Sequence, residues 1–371
     1  MFYRLFATFI LMISSAVVYA SDCYVWQREH NPFVGRAVTA FHRAGCGRLF
    51  YLAGEIENSG RIIRVSPPEY LVRGESGAVV RIHVMEMRRS SPQKLAEKVS
   101  GIYAAWRDAG CDEFQIDLDA PEKRIDYYTQ LMRALRKLLP DGTRLSATVL
   151  PCHTGHFRAF SLLARSVDYF VLQVHYLQTK GGKNAIFDFD TACCSIVKAQ
   201  KFCSPFKVAL PLYTMKIRGE TAVCDWQEVS ACAGFCRIKR IPVVGFRLGN
   251  GSDPDSLDLK TAQDILNGLP YRPRLDVKVC RENNNTYTLY VTNYGHLCRR
   301  MTVNCSWKNS GVITDCDTLN GSRSNGSLPP SQLDIELPHP GCSLPVLWMK
   351  TSGDVPPDIT FKMINKEPEK P

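Results

Sequence analysis

The sequence has 371 residues, of which 45% are hydrophobic and 22% are charged. This composition supplies enough apolar side chains for a large folded core and excludes an intrinsically disordered chain. The formal net charge of +10 comes from lysines and arginines that are scattered rather than interleaved with aromatic residues, so no nucleic-acid partner is predicted. A soluble basic surface, or a long-range attraction to anionic polymers, accounts for this charge.

The first twenty residues are typical of a secretory signal peptide. Arg4 precedes an apolar run that ends in Val18-Tyr19-Ala20, a pattern typical of a cleavage site. We therefore expect a signal peptide over residues 1–20, cleavage after Ala20, and a secreted or periplasmic mature protein. An uncleaved membrane anchor is the alternative. No later stretch is apolar over the ~20 residues that a spanning helix needs, so no membrane span is predicted after cleavage.

All 15 cysteines lie beyond the predicted signal, between Cys23 and Cys342. In an exported protein this number favours disulfide bonds, and the odd count leaves at least one thiol without a partner in the same chain. The Cys232-x3-Cys236 spacing has no second pair or nearby histidines that would complete a zinc pattern. The sequence therefore predicts no metal site.

Strand-like and helical patterns alternate through most of the mature chain. The strand-like runs occupy residues 23–29, 49–57, 78–86, 114–120, 145–151, 169–176, 207–213 and 243–249. Helical patterns occupy residues 33–44, 91–109, 123–139, 157–164, 191–201, 226–237 and 257–266. Eight such repeats over about 250 residues predict an α/β fold, a (β/α)8 TIM-type barrel over residues 21–270. An open doubly wound sheet is the competitor, but neither GxGxxG nor GxxxxGK[ST] occurs, and no cofactor is predicted.

The sequence changes character after residue 270. LDVKVCRE, TYTLYVTN, MTVNCSW, LDIELP and PVLWMK are short alternating runs without a helical period. We therefore predict a small all-β, sandwich-like domain over residues 271–350 that could contact a protein partner. A flexible, Pro-rich tail is predicted over residues 351–371.

The predicted strands carry polar and aromatic residues at their C-terminal ends, where the active site of a (β/α)8 barrel forms. Candidates for substrate binding are Trp26, Arg28, His83, Gln115, Gln173, His175, Tyr213 and Arg247, and candidates for catalysis are Glu55, Asp117 and Asp119. Structural alternatives exist, since Trp26 could be a core residue, His83 or His175 a hydrogen-bonded core histidine, and Arg247 an ion-pair partner of the aspartates. Together these residues predict a polar pocket of the kind that binds a sugar.

The stretch FQIDLDA, residues 114–120, suggests the chemistry of this pocket. Strand alternation places Asp117 and Asp119 on one face, about 6.5–7 Å apart at Cα. Glycoside hydrolysis uses one carboxylic acid to protonate the leaving oxygen and another group to stabilise or attack the anomeric carbon. The spacing fits both the retaining and the inverting carboxyl separation, so the stereochemical outcome stays open. Two carboxylates this close also raise one of their pKa values, as a general acid requires.

Five blocks of sequence carry a family resemblance: YVWQRE, LAGEIE, QIDLDA, LSATVLP and VDYFVLQVHY, in this order. With these blocks the chain resembles the bacterial secreted family known as domain of unknown function 3142, over roughly residues 23–350. The resemblance implies a glycosidase-like barrel followed by a β-rich part. It implies no particular activity.

A more distant likeness connects the chain to family 18 chitinases. Their motif DxxDxDxE matches at Asp117 and Asp119, and ALPLY is similar to their seventh strand. The sequence departs from this motif at two other positions. Phe114 replaces the first aspartate of the motif, and Pro121 replaces its proton-donating glutamate, with Glu122 one position later. The chitinase mechanism is therefore in question. A bulge that turns Glu122 inward, proton donation by another acid, and a loss of catalysis all stay open.

The leading hypothesis is a secreted or periplasmic glycoside hydrolase-like protein that acts on a polysaccharide or envelope glycan. Asp119 would donate the proton, Asp117 would hold or tune it, and Glu55 would serve as nucleophile, base or sugar ligand. A degenerate barrel that binds a glycan without cleaving it is the first alternative, motivated by the missing glutamate. A protein that its β domain attaches to the envelope or to a partner is the second.

Overall fold

The computed structural model describes residues 21–180, 183–213, 215–217, 220–222, 224–248, 257, 259–269, 271, 274–283, 285–294, 300–308, 313–320, 322–326, 328–336, 343–352 and 357–363. Up to residue 248 its strands are β1 (Asp22–Val25), β2 (Leu49–Ile56), β3 (Ile62–Arg64), β4 (Ser76–Ile82), β5 (Glu113–Asp117), β6 (Arg144–Val149), β7 (Tyr169–Gln173), β8 (Gln178–Lys180), β9 (Lys183–Ala185), β10 (Phe206–Pro211), β11 (Met215–Ile217), β12 (Glu220–Ala222) and β13 (Val243–Phe246). The helices are α1 (Pro32–Arg43), α2 (Glu86–Arg89), α3 (Pro92–Ala109), α4 (Ile125–Leu138), α5 (Phe157–Ala164), α6 (Phe189–Gln200), α7 (Trp226–Ile238) and α8 (Leu259–Leu266). Short 3-10 turns cover Glu122–Arg124 and Pro151–Gly155.

Eight parallel strands of the described chain close into a barrel, in the order β1, β2, β4, β5, β6, β7, β10, β13 and back to β1. Closure is shown by β1, which pairs with both neighbours: Cys23 lies opposite Leu49 of β2 and opposite Gly245 of β13. The predicted (β/α)8 barrel is confirmed, and the open doubly wound sheet is excluded. The strands end two to four residues earlier than predicted in most cases, so several candidate site residues lie in the loops that follow them.

Helix α3 shows how local sequence sets the bounds of these elements. The Ser91 hydroxyl accepts a hydrogen bond from the backbone N–H of Lys94, and Pro92 occupies the first turn, where no N–H is needed. Gly110 ends the helix with a φ of 110°, a conformation that other residues rarely adopt. A Cβ there would also lie 2.4 Å from Cγ of Arg73, so glycine is required twice over.

The interior of the barrel is apolar in its middle and charged at its N-terminal end. Tyr24, Phe50, Val79, Tyr169, Val171, Ala209 and Val244 form the inner apolar cluster. At the N-terminal end, Glu113 accepts hydrogen bonds from Ser146 Oγ (2.8 Å) and from the Tyr169 hydroxyl, while Lys207 Nζ lies 2.6 Å from Asp22 Oδ2. The buried charges at this end are therefore paired, as their desolvation requires.

A separate all-β unit follows the barrel. It comprises β14 (Arg274–Asn283), β15 (Thr286–Tyr294), β16 (Arg300–Trp307), β17 (Ile313–Thr318), β18 (Arg323–Ser324), β19 (Gln332–Glu336), β20 (Ser343–Thr351) and β21 (Ile359–Met363). Two antiparallel sheets, in the orders β14-β15-β20-β17 and β18-β19-β16-β21, bury a shared core that includes Leu289, Leu347, Val303 and Leu333. The predicted small β domain is confirmed.

The predicted flexible tail over residues 351–371 is wrong in one segment. Strand β21 lies within it and pairs antiparallel with β16, with Ile359 opposite Trp307. Ile359 also packs against the core of the β unit. The surrounding Pro, Lys and Glu residues gave the tail a disordered composition, but the backbone of β21 completes an edge of the sheet, and that pairing stabilises it.

The cysteines that the structure describes carry free thiols: Cys23, Cys46, Cys111, Cys152, Cys193, Cys194, Cys203, Cys224, Cys232, Cys236, Cys280, Cys305 and Cys316. Disulfide bonds were predicted from the cysteine count, and none occurs within this part of the chain. Cys298 and Cys342 lie outside the described residues. Several of these thiols, such as Cys23 and Cys224, are buried and pack as small apolar groups.

The described residues contain no helix with both the length and the hydrophobicity needed to cross a bilayer.

Candidate active site at the C-terminal end of the barrel

A row of polar side chains crosses neighbouring strands near their C-terminal ends. In the strand register, Glu55 of β2 lies opposite Arg81 of β4, and Arg81 lies opposite Asp117 of β5. Side chains at paired positions of parallel strands project from the same face, about 4.8 Å apart along the sheet. Thr148 of β6 and Gln173 of β7 continue the row through hydrogen bonds to Asp117. We call these five residues the polar row.

Glu55 reaches the interior because strand β2 contains a bulge. Phe50 belongs to the inner apolar cluster, and a residue five positions later would face outward in a regular strand. The register with β4 shifts between Leu52 and Gly54, which reverses the alternation. Gly54 is needed there because a Cβ would lie 2.7 Å from the carbonyl oxygen of Ile63. The glycine thus allows β3 to approach and Glu55 to turn inward.

Asp117 is the buried carboxylate of the site, with 8% of its surface exposed. Its Oδ1 accepts hydrogen bonds from Thr148 Oγ1 (2.7 Å) and Gln173 Nε2 (2.8 Å). Burial raises the pKa of Asp117, and the neighbouring charge of Asp119 raises it further. The two hydrogen bonds and the charge of Arg81 act in the opposite direction without cancelling the rise. Asp117 therefore keeps its proton to a higher pH than an ordinary aspartic acid.

Asp119 lies two residues beyond Asp117, in the loop after β5, and is exposed to solvent. The surrounding barrel wall raises its pKa by desolvation, while Arg81 and His153 lower it. Because water screens charges at an exposed position, we expect these effects to be weaker than those at Asp117. The charge of Asp119 raises the pKa of Asp117, so ionisation of one carboxyl group disfavours ionisation of the other.

The loop that carries Asp119 is fixed by His153, a residue with no exposed surface. Its Nδ1 accepts a hydrogen bond from the backbone N–H of Leu150 (3.2 Å), so the ring proton lies on Nε2 and is donated to the carbonyl of Ala120 (2.6 Å). Burial lowers the pKa of His153, which favours this neutral form. His153 thus positions Asp119 through the adjacent residue.

Glu55 is held by two arginines. Its Oε2 accepts a hydrogen bond from Arg28 Nε, and its Oε1 lies 3.4 Å from Arg81 Nη1. Glu55 itself is buried, at 5% exposure, whereas 53% of the Arg28 side chain and 52% of the Arg81 side chain are exposed. Both carboxylate oxygens are therefore engaged, which favours a role in holding the arginines over a role as nucleophile.

His175, Tyr213 and Arg247 form a second group, in the loops after β7, β10 and β13. The His175 ring stacks on Phe246 at 5.1 Å, and its Nδ1 lies 3.4 Å from the Tyr213 hydroxyl. Burial lowers the pKa of His175 to about 4 and raises that of Tyr213 to about 12, so both are neutral at pH 7. The Arg247 guanidinium lies 5.9 Å from the centre of the Tyr213 ring.

His175 keeps one buried nitrogen for a ligand. Nδ1 and the Tyr213 hydroxyl share one hydrogen bond, in which either group can donate. Nε2 is buried and has no hydrogen-bond partner among the residues that the structure describes. A buried polar atom without a partner is costly, and a sugar hydroxyl, which both donates and accepts, would satisfy it.

Three other candidates make contacts within the protein. Gln115 is fully buried one layer below the polar row, and its amide bonds to the Tyr24 hydroxyl (2.6 Å) and to Ser146 Oγ (2.9 Å). His83 Nδ1 accepts a hydrogen bond from the backbone N–H of Met85 (3.2 Å). Trp26 packs edge-on against Phe246, with ring centres 4.9 Å apart. These contacts favour structural roles for Gln115 and His83 and the core alternative for Trp26.

Glu122 does not turn inward. It begins the 3-10 turn after Pro121, is exposed, and accepts a hydrogen bond from His156 Nε2 (2.7 Å). The position of the chitinase glutamate therefore holds proline, and the next residue is directed to an exposed histidine. The carboxylates that β5 contributes to the site are Asp117 and Asp119.

The structure thus brings Glu55, Arg28, Asp117, Asp119 and Gln173 together, and adds Arg81, Thr148 and His153, to which the sequence assigned no role. Strand alternation does place Arg81 and Thr148 among the polar residues at the strand ends, since each lies two positions from an inward-facing residue of its strand. His153 lies in a loop, where no periodicity points to it.

A known protein family matches the part of the chain that contains most of the polar row. Residues 76–231 match the model of the family described as Domain of unknown function (DUF3142). The predicted resemblance to this family is confirmed over residues 76–231, a shorter range than the predicted residues 23–350. The DUF3142 segment runs from β4 into α7 and includes Arg81, both aspartates, Thr148 and Gln173, whereas Glu55 and Arg28 precede it.

Comparison with solved structures supports the fold. The chain is similar to the Bacillus cereus spore cortex-lytic enzyme SleL, with 13% identity and a TM-score of 0.50 over 68% of this chain and 74% of that one. It is also similar to chitinase ChiA74 from Bacillus thuringiensis, with 8% identity and a TM-score of 0.43 over 92% of this chain and 100% of that one. A GH5-4 broad specificity endoglucanase from an uncultured bacterium is similar with 10% identity and a TM-score of 0.43, over 69% of this chain and 94% of that one. No curated protein matches the sequence. The similarity to SleL supports the (β/α)8 barrel fold and no more than the fold.

Proposed function

We propose that the protein is a secreted or periplasmic glycoside hydrolase that acts on a polysaccharide or envelope glycan. The observation that carries the proposal is the pair formed by Asp117 and Asp119 at the C-terminal end of the barrel. One carboxyl group is buried, the other is exposed, and both have raised pKa values. Pairs of titratable groups with contrasting environments are typical of acid–base catalysis.

The arrangement supports a simple division of labour between the aspartates. The pair retains one shared proton to a higher pH than an isolated aspartic acid, and Asp119 is the member that a substrate in the barrel mouth can reach. Asp119 donates that proton to the glycosidic oxygen as the bond to the anomeric carbon breaks. The two carboxylates then stabilise the positive charge on the sugar, and water that adds to the anomeric carbon returns a proton to the pair.

The remaining residues bind and orient the sugar. Thr148 and Gln173 hold Asp117, and His153 fixes the loop of Asp119. The Nε2 atom of His175 is available to a sugar hydroxyl. SleL, the cortex-lytic enzyme, has a related fold, which is compatible with an envelope glycan as the substrate but does not identify it.

The test uses purified protein and a panel of glycans that includes peptidoglycan, chitin oligosaccharides and acidic exopolysaccharides, with release of reducing ends as the readout. We expect hydrolysis of at least one glycan and a loss of about 10²–10⁴-fold in Asp119→Asn, because the proton donor is removed. Glu122→Gln is the matched control, since Glu122 is an exposed acid three residues away that faces His156. Unchanged hydrolysis by Asp119→Asn would reject the assignment.

A second candidate function is glycan binding without cleavage. It is favoured by Pro121, which occupies the position of the chitinase proton donor, and by the outward direction of Glu122. In this case a glycan would bind to the wild-type protein and to Asp119→Asn with similar affinity, and no bound glycan would yield product. The same panel therefore separates the two functions.

Export is part of the proposal and rests on residues 1–20, which lie outside the described residues. Expression of the chain with its own N-terminus in a bacterial host should yield a mature protein that begins at Ser21. N-terminal sequencing of the protein from the periplasm or the medium measures this. Recovery of the uncleaved chain in the membrane fraction would instead indicate an anchor. Contact of the β domain with a protein partner stays a prediction.

A further inference from the structure

Arg28 and Arg81 form a cationic pair at the edge of the proposed active site. Arg28 follows β1 and Arg81 lies on β4, and both contact the carboxylate of Glu55 on the strand between them. Arg28 Nη2 also lies 3.9 Å from Oε1 of Glu57, a carboxylate that pairs more closely with Arg61. About half of each arginine side chain is exposed, so part of each guanidinium faces solvent.

This arrangement differs from a simple one-to-one ion pair. Arg136 and Asp168 are an example elsewhere on the barrel: one arginine faces one carboxylate, at 2.7 Å, and Arg136 also donates to the carbonyl of Thr143. Around Glu55 two arginines contact one carboxylate, which is buried beneath them. Glu55 thus fixes the two guanidinium groups and leaves part of each facing solvent.

The position of Arg81 connects this cationic pair to the aspartates. Arg81 and Asp117 are register partners, so their strands are separated by about 4.8 Å, close to the length of one sugar unit. The charge of Arg81 also lowers the pKa of both Asp117 and Asp119. A group bound by Arg81 would therefore belong to a sugar at or next to the bond that the aspartates cleave.

We propose that Arg28 and Arg81 are a carboxylate-binding subsite and that the substrate is an acidic glycan, with a carboxylate on a sugar next to the cleaved bond. This inference rests on the proposed function and specifies its substrate class. Guanidinium groups bind carboxylates with two parallel hydrogen bonds, which gives both affinity and orientation. The solvent-facing N–H groups of the two arginines are the donors that such a carboxylate would accept from. The net charge of +10 favours the encounter with an anionic polymer.

The experiment compares acidic oligosaccharides with their carboxyl-reduced forms, in which each carboxylate is converted to a primary alcohol. The probes are oligogalacturonate, oligomannuronate, hyaluronan oligosaccharides and peptide-free peptidoglycan strands. Binding is measured by calorimetry on Asp119→Asn, so that turnover does not interfere. We expect at least one acidic probe to bind at least about tenfold more tightly than its reduced form, because charge-assisted hydrogen bonds are lost on reduction.

Variants assign the effect to the arginines. Arg81→Gln in the same background should remove the preference for the acidic probe, and Arg81→Lys should restore part of it, because lysine keeps the charge without the planar fork. Arg136→Gln, a half-exposed arginine with one carboxylate partner, is the matched control and should keep the full preference. Thermal melting of each variant checks the fold, and Arg28→Gln provides a second route if Arg81→Gln is unstable.

The outcomes separate this inference from the proposed function. Equal affinity for acidic and reduced probes, no binding of any acidic probe, or a preference that survives both arginine variants would overturn the subsite. Hydrolysis of a neutral glycan that depends on Asp119 would do the same while leaving the proposed function in place. A preference that depends on Arg81, with no hydrolysis by the wild-type protein, would support the subsite and overturn the hydrolase.

Discussion

The two ends of strand β5 carry buried carboxylates with different surroundings. Glu113, at the N-terminal end, has no exposed surface and contacts Ser146, Tyr169 and Arg48, with Lys207 nearby. Asp117, at the C-terminal end, accepts hydrogen bonds from two neutral side chains and lies two residues from an exposed aspartate. Desolvation raises the pKa of both. A buried carboxyl group with a raised pKa is therefore not by itself evidence of a functional site.

The difference lies in what surrounds each carboxylate. Around Glu113 the charges are enclosed, and the cations that face it also pair with Asp22 and Asp112. Around Asp117 the second acid, Asp119, and the neighbouring cation, Arg81, are exposed and therefore accessible to a ligand. This contrast supports the proposal that the C-terminal end is the reactive one and that the charges of the N-terminal end serve the fold.

The largest expected effect is on stability at the N-terminal end. Glu113→Ala removes the acceptor of Ser146 and Tyr169 and leaves Arg48 without its buried partner, so the free energy of unfolding should fall by about 3 kcal/mol or more. Asp117→Asn should change it much less, because asparagine can still accept from Thr148. Urea denaturation of the two variants measures the contrast. Similar losses of unfolding free energy in Glu113→Ala and Asp117→Asn would mean that the carboxylate at the N-terminal end is no more important for stability than the one at the C-terminal end.

A second prediction concerns pH and the C-terminal end. The pKa of Asp117 is higher in the folded protein than its ordinary value of 3.8, so above that value the folded state binds more protons than the unfolded state. Stability then declines as pH rises through this window. Asparagine does not titrate, so Asp117→Asn should gain stability relative to the wild type between about pH 4 and pH 7.

Urea denaturation at the two pH values measures this gain. Asp141→Asn, in the exposed turn after α4, is the matched control and should show no such trend. A difference between Asp117→Asn and wild type that does not vary with pH would contradict the raised pKa.

The fold could be predicted from sequence because its signals are local and repeated. Each barrel strand is a short apolar run, and the helices between them begin and end at recognisable residues such as Ser91 and Gly110. Strand alternation also placed Gln115 and Asp117 on the inner face of β5, whereas Asp119, predicted on the same strand face, lies in the loop after it. These properties depend on neighbours along the chain, which a sequence shows directly.

Other features depend on partners that are distant in sequence. Strand alternation predicted that Gln115 faces the barrel interior, but not how deeply it lies below the polar row. That depth depends on its hydrogen bonds with Tyr24 and Ser146 on other strands. The bulge that turns Glu55 inward depends on the close approach of Ile63 to Gly54. Strand β21 was missed because its stability comes from pairing with β16 and not from its composition. Each of these errors concerns a tertiary contact and not a local pattern.

The smallest expected effect tests how finely the site is tuned. Thr148→Val keeps the shape of the side chain but removes the hydroxyl that donates to Asp117 Oδ1 at 2.7 Å. That hydrogen bond stabilises the ionised form and lowers the pKa of Asp117, so its loss should raise this pKa further. The aspartate pair would then keep its shared proton to higher pH. The alkaline limb of the kcat/KM profile should move upward by about one pH unit or less.

The matched control for this variant is Thr129→Val, since the Thr129 hydroxyl is also buried but donates to the backbone carbonyl of Ile125 in α4. Thr129→Val should leave the alkaline limb of the kcat/KM profile unchanged. A shift in both variants would show that loss of rigidity, and not the hydrogen bond to Asp117, controls the profile. A shift of the Thr148→Val limb to lower pH would mean that the hydroxyl favours the protonated carboxyl group, which would reverse the electrostatic account of the C-terminal end.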